Sequence, residues 1–118
     1  MQATRDGGLL AWQWSIYPDG HRDGRNLLAH VLTVPVFILG TCAVLAAPFV
    51  SAWLAGGGVL AMATAMAVQG RTHNREATPP VPFGGPIDVL ARIFAEQWIT
   101  FPRFVASGGF LRVWRDAR

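Results

Sequence analysis

All three histidines of this chain stand at the ends of one uncharged stretch. His21 and His30 lie at its entry, in YPDGHRDGRNLLAHVLTVP, and His73 follows its exit. From Asn26 to Gly70 there is no Asp, Glu, Lys or Arg. Neutral imidazole is the commonest protein ligand for metals. Glu76, three residues beyond His73, could add a carboxylate. Two or three histidines with one carboxylate suit non-haem Fe(II), which needs open positions for dioxygen and substrate. Zinc accepts the same ligands. The alternative is that each histidine only hydrogen-bonds a loop at an interface. The metal reading requires His30 and His73, 43 residues apart, to meet in space.

The elements that must bring them together are legible in the hydropathy pattern. The chain is 52% hydrophobic and 14% charged, far below the usual quarter of charged residues in soluble domains. Leu27–Ala47 would be a helix of about 31 Å and Ser51–Gln69 one of about 28 Å at 1.5 Å per residue, each near the thickness of a hydrocarbon core. Pro48 between them favours a turn. The expected fold is all-α: a transmembrane helical hairpin with a C-terminal amphipathic interfacial helix. As one domain over 1–118 it divides into a polar entry (1–26), the hairpin (27–69), a polar proline-rich loop (70–86), and an amphipathic helix with its tail (87–118).

Arg5, Arg22, Arg25, Arg71 and Arg75 flank the two spans, and the turn carries no charge. The positive-inside rule then puts both termini in the cytoplasm; the expected location is a bacterial inner membrane. Trp12, Trp14 and Tyr17 near one interface and Trp53 near the other would form aromatic belts. Gly57, Ala61 and Ala65, four apart, would let the helices approach closely. Pro35 should bend the first span. In the last segment Leu90, Ile93, Phe94, Gln97, Trp98 and Phe101 share one face, while Arg92 and Glu96 share another, the pattern of an amphipathic helix. Pro102 should interrupt it, and Trp114 should anchor the tail at the interface.

Other chemistries find no support. Without lysine there is neither a P-loop lysine nor a Schiff base. The glycine triplet of the second span follows no strand and is no dinucleotide fingerprint. Cys42 is expected to be a small buried apolar residue. Asp19 and Asp23 read as turn and helix-cap residues. A net charge of +3 with no dense basic stripe does not suit nucleic acid; membrane lipid is the expected partner.

Antiparallel helices in contact lie 8–10 Å apart, so a hairpin returns His73 to the face where His30 began. Asn26 and Gln69 sit one turn before His30 and His73 and are expected to face inward with them. His21 can fold over the same mouth from its glycine-flanked loop. One hairpin is a small enclosure for oxygen chemistry, which leaves homo-oligomerisation open.

These residues resemble the membrane-bound 2-hydroxy fatty acid dioxygenases, a family first catalogued as a domain of unknown function. Its entry pattern of Tyr, His, Asn, His and Pro is matched by Tyr17, His21, Asn26, His30 and Pro35. Its second block is matched more loosely by Gln69, His73, Glu76 and Pro79, and a late glutamate by Glu96. The resemblance covers about residues 12 to 104. The chain departs in having one hairpin where the family has two, and Thr72 where the family has a glycine before the histidine. The resemblance implies an Fe(II)-dependent oxidation that shortens a 2-hydroxy fatty acid by one carbon. It implies iron on His21, His30 and His73, and Glu76 as a ligand or catalytic orienter. Asn26, Gln69 and Tyr17 would support the ligands, and Arg71 or Arg75 would pair with the substrate carboxylate. The competing expectation is a non-catalytic membrane scaffold with structural histidines.

Overall fold

The computed structural model of the chain describes residue 5 and residues 7–117; the ends of the single domain expected over 1–118 lie outside them. The described residues form helices and turns and no strand. α1 spans Leu9–Ile16, α2 Gly24–Ala46, α3 Trp53–His73, α4 Pro86–Ala95, α5 Phe101–Ala106 and α6 Gly109–Ala117. Short 3₁₀ turns at Pro18–Gly20 and Ala47–Phe49 and a π turn at Glu96–Thr100 complete the order.

α2 begins three residues before the expected span, because Asp23 caps it. The Asp23 Oδ1 accepts the N–H groups of Arg25 and Asn26 at 2.9 and 3.0 Å, satisfying donors that a helix start leaves unpaired. The helix continues through Pro35. α3 continues through Gly70 to His73, four residues past the expected end at Gln69. Both helices are long and apolar enough to cross a membrane.

α2 and α3 pack antiparallel. Asn26 faces Thr72 at one end (2.7 Å), Thr33 meets Gln69 (2.9 Å), and Gly40 meets Gly58 further along. A Cβ on Gly40 would stand 2.8 Å from the Gly58 carbonyl oxygen, and one on Gly58 would stand 2.5 Å from the Gly40 carbonyl oxygen. The two backbones touch directly, which only a pair of glycines permits. One member of the expected small-residue strip changes: Gly58, not Gly57, makes the approach, since a Cβ on Gly57 would meet nothing within 4 Å, whereas Ala61 does lie against Gly40. Ala65 is buried as expected.

Along much of the chain the burial pattern is inverted relative to a soluble protein. Leu32, Leu39, Leu45, Val59 and Leu60 point outward from α2 and α3, while Gln13, Asn26, His30, Gln69, Gln97 and Thr100 are buried. Cys42 is exposed, contrary to the expectation that it is buried. The same inversion governs much of the last segment. The face expected to be shared is split: Leu90, Phe94 and Trp98 are exposed while Gln97 and Phe101 are buried, and the inner face also carries Arg92, Ala95 and Thr100. Trp98 reaches Thr41 on α2 (3.3 Å) and Phe94 packs edge-on to Phe37. This segment therefore lies along α2 and does not merely cover its end.

Pro102 does not interrupt the helix. Having no N–H, it cannot donate backward, and the turn just before it widens to the π spacing, with the Phe101 N–H donating to the Glu96 carbonyl. Such single-turn π segments recur at functional sites. Tyr17, Leu27, Val34, Phe101 and Phe104 form the apolar core, and Trp114, partly buried, packs against it. Trp12 and Tyr17 are likewise buried, whereas Trp53 is exposed at the far end.

Asp88 ties the entry segment to α4. Its carboxylate accepts from Arg5 Nη1 at 2.8 Å and from the Gly84 N–H at 2.8 Å. The Arg5 hydrogen bond first, and the Gly84 N–H second, hold its carboxyl at about 2 against its usual 3.8. A carboxyl with a depressed folded value contributes stability above its unfolded value, and that stability is lost as pH falls from about 4 towards 2. Thermal unfolding in detergent at pH 5 and pH 2.5 should therefore show a larger acid-induced drop for the wild type than for Asp88→Asn. Equal drops would mean that the pair contributes nothing.

Candidate metal centre

Four separate elements contribute to one point: His21 from the loop before α2, His30 from the second turn of α2, His73 as the last residue of α3, and Glu96 as the first residue of the π turn. One ligand atom from each lies within 4.8 Å of all the others. The three imidazole centres are 4.8, 4.9 and 5.0 Å apart, and each pair of rings is nearly perpendicular, at 83–87°. Imidazoles sharing one ion at about 2.1 Å would have ring centres about 4.5–5 Å apart, so the spacing suits a shared ion.

The orientation of the rings is set by backbone carbonyls. His21 Nδ1 lies 2.8 Å from the Tyr17 carbonyl oxygen, and His30 Nδ1 lies 2.9 Å from that of Asn26. A carbonyl only accepts, so each Nδ1 carries the proton and each neutral ring presents its Nε2 lone pair. Those two Nε2 atoms, together with His73 Nδ1, are buried and have no hydrogen-bond partner. They face Glu96 Oε2, which lies 3.2 Å from His21 and 3.5 Å from His30. Lone pairs directed at one another and at a carboxylate are unfavourable unless a cation lies among them; orphaned buried polar atoms of this kind are rare in folded proteins. The group His21, His30, His73 and Glu96 could hold a metal ion.

Tyr17 supports two of the four. Its ring stacks on His21 at 3.8 Å and 14°, and its hydroxyl donates to Glu96 Oε2 at 2.9 Å. Burial, then the Glu96 charge, pushes the phenol well above its ordinary value, so Tyr17 stays a donor. Burial would raise the Glu96 carboxyl, but donors and positive charge on the His21 and His30 side, the role that a cation among these atoms would fill, hold it well below the usual carboxylate range. Tyr17→Phe removes the donor and keeps the ring. It should weaken metal affinity by about 10–100-fold, as losing a ligand's orienting partner typically does; competition with a chromophoric chelator measures it, and an unchanged affinity would remove Tyr17 from the site.

The carboxylate beside the histidines is thus Glu96, and Glu76 is engaged elsewhere. Glu76 accepts from the Arg22 and Asp23 N–H groups at 2.8 and 3.0 Å and from Asn26 Nδ2 at 2.7 Å. It straps the loop carrying His21 to the end of α3. Asn26 is central as expected, but it acts through its carbonyl on His30, while its side chain joins Thr72 and Glu76. Gln69 does not touch His73. It forms a reciprocal amide pair with Gln97 (2.9 and 2.8 Å) and donates to Thr33, fixing the π turn that presents Glu96. Gln13 braces that turn from α1, through the Arg92 carbonyl and the Thr100 hydroxyl.

A cavity of about 390 Å³ adjoins the group and is lined in part by Tyr17, His21, His73 and Glu96. Neither Arg71 nor Arg75 lines it. Arg75 points its Nε toward Asp23 at 3.4 Å, and Arg71 is exposed. Periodicity alone placed Glu96 with Arg92 on the polar face of its helix, without saying which way that face points. The signal that locates it is the inversion: where apolar residues face outward, the polar stripe of a helix marks the inside. No family model, curated protein or solved structure matches the chain.

Proposed function

We propose that this chain is an integral membrane protein that crosses the bilayer twice and holds Fe(II) on His21, His30, His73 and Glu96. There it oxidises a 2-hydroxy fatty acid to the acid one carbon shorter. The observation that carries the reading is the convergence of three unpaired buried imidazole nitrogens and one carboxylate, a donor set that suits non-haem iron. The outward apolar faces of α2 and α3 support the membrane placement, because polar side chains within a membrane turn to the protein interior. With the arginines at one end of both helices, the positive-inside rule favours cytoplasmic termini, in a bacterial inner membrane.

Iron in this donor set would supply dioxygen activation. The overall conversion balances without an external reductant: a 2-hydroxy acid and dioxygen give the shorter acid, carbon dioxide and water. The residues themselves do the positioning. The carbonyls of Tyr17 and Asn26 keep the Nδ1 protons of His21 and His30, so that both Nε2 atoms are presented. Tyr17 holds the Glu96 carboxylate, and Glu76 secures the loop of His21. The apolar walls of the cavity would take the substrate chain. All four ligand atoms come from one chain, so a second copy is not needed to assemble the group.

The test is metal content per protomer in detergent-purified protein, with loss of a 2-hydroxy fatty acid under air. Iron-loaded protein should consume the acid, and zinc-loaded protein should not, because zinc has no redox chemistry. Protein that holds no metal after reconstitution and leaves the acid untouched is a non-catalytic scaffold. In a Cys42→Ser background, single cysteines at positions 5 and 75 should be labelled from the same side of the membrane; opposite accessibility defeats the topology.

A further inference from the structure

The cavity beside the metal group is lined by a cation whose counter-ion is shared with other donors. Trp12, Ile16, Met66, Phe83 and Ile93 make much of its wall apolar, and among the described residues Arg92 is the one arginine lining it. Arg92 is buried. Its guanidinium lies over the Phe83 ring at 4.2 Å and the Trp12 ring at 5.2 Å. Nη1 and Nη2 donate to the carbonyls of Pro82 and Val81 at 3.1 and 2.8 Å. Those acceptors are neutral. Among the described residues, the one carboxylate paired with it is that of Asp88, which stands 3.6 Å away and gives its short contacts to Arg5 and the Gly84 N–H. Burial lowers the proton affinity of the Arg92 guanidinium, and Asp88 only partly restores it.

A buried charge is costly unless an opposite charge meets it. A guanidinium has five N–H donors in a planar fork that matches a carboxylate, and the two loop carbonyls do not exhaust them. Arg92 also sits four residues before Glu96, so the two side chains are neighbours on one helix face, with Cβ atoms about 5–6 Å apart. A carboxylate bound by Arg92 would lie beside the four metal-binding atoms.

We propose that Arg92, held against Trp12 and Phe83 in the cavity wall, receives the carboxylate of the substrate, in place of Arg71 and Arg75. The proposal rests on the fatty-acid reading above and deepens it. The acid head lies between Arg92 and the metal group, and the chain runs along the apolar wall. The loop carbonyls of Val81 and Pro82 fix the guanidinium from behind, so the residue both recognises the head and holds the loop over it.

Binding to zinc-loaded protein in nanodiscs of neutral lipid tests this without turnover. The probes are a 2-hydroxy fatty acid and the 1,2-diol of the same chain length, which replaces the carboxylate with an uncharged group. The wild type should prefer the acid by about 10–100-fold, the range of a hydrogen bond to a charged partner. Arg92→Gln should bind both as the wild type binds the diol, with zinc per protomer unchanged. Gly70 also lines the cavity, and a Cβ there would meet nothing within 4 Å. Gly70→Leu should therefore fill the space, losing both ligands and keeping the zinc.

Arg92→Gln that keeps the full preference for the acid overturns the assignment, and loss of that preference in Arg71→Gln or Arg75→Gln would transfer it. Should Arg92→Gln fail to fold, Arg92→Lys decides, because it keeps the charge and loses the fork; a preference equal to the wild type overturns the proposal. Zinc-loaded wild type that binds neither probe overturns the fatty-acid reading itself, whereas a preference for the acid that is equal in the wild type and in Arg92→Gln overturns Arg92 alone.

Discussion

Glu96→Gln and His30→Ala should each leave the purified protein essentially without metal, and Glu76→Gln should not. Glu96 and His30 present ligand atoms to the shared point. Each is held by neighbours that cannot supply a substitute: Glu96 by Tyr17 and the Gln69–Gln97 pair that fixes its turn, and His30 by the Asn26 carbonyl in a fully buried helix face. The loss should exceed the roughly 10–100-fold that removing an orienting partner costs. Glu76→Gln belongs to that milder class. It gives up part of the strap on residues 22 and 23 and loosens His21 without removing a ligand. Metal per protomer at one buffered free-metal concentration, with circular dichroism to verify folding, ranks the three. Metal-free Glu76→Gln beside fully loaded Glu96→Gln would return the carboxylate role to Glu76.

Gly58→Leu should be the most destabilising single change in the α2–α3 pair, and Gly57→Ala, one position away, should be harmless. A Cβ at residue 58 would stand 2.5 Å from the Gly40 carbonyl oxygen and 3.1 Å from the Val44 amide nitrogen. Both are backbone atoms, so the helices must separate to relieve the clash. Overpacking costs about 1–3 kcal/mol when side chains can adjust; a backbone contact falls at or above the upper end. Gly57→Ala meets open space and gains helix propensity, about 1 kcal/mol relative to glycine. The two changes should therefore move the melting temperature in detergent in opposite directions. Separation of the helices would also move His30 from His73, so Gly58→Leu should lose metal although residue 58 lies about 22 Å along α3 from residue 73. A Gly58→Leu protein that melts like the wild type would mean that the two backbones are not in contact.

The long uncharged run, the break near Pro48 and the cap at Asp23 are local properties. Composition and i-to-i+4 chemistry decide them, and they read directly as two apolar helices with a turn between. The sequence also determined that His30 and His73 share one end, because an antiparallel return leaves a chain of this length no other arrangement. What it could not decide is the direction in which each polar side chain points. A 3.6-residue period separates the faces of a helix without saying which face is inside; contacts with the rest of the chain decide that. For that reason Leu90, Phe94 and Trp98 face outward and Glu96 faces the histidines. The choice between Glu76 and Glu96 rests on the same limit. Both carboxylates are plausible in spacing, and only the tertiary structure shows Glu76 consumed by the N–H groups of residues 22 and 23 while a π turn, widened before Pro102, turns Glu96 toward three imidazole nitrogens that have no other partner. The one-residue shift from Gly57 to Gly58 has a like cause: small residues four apart define a stripe on α3, but the partner stripe on α2, centred on Gly40, sets which stripe is used.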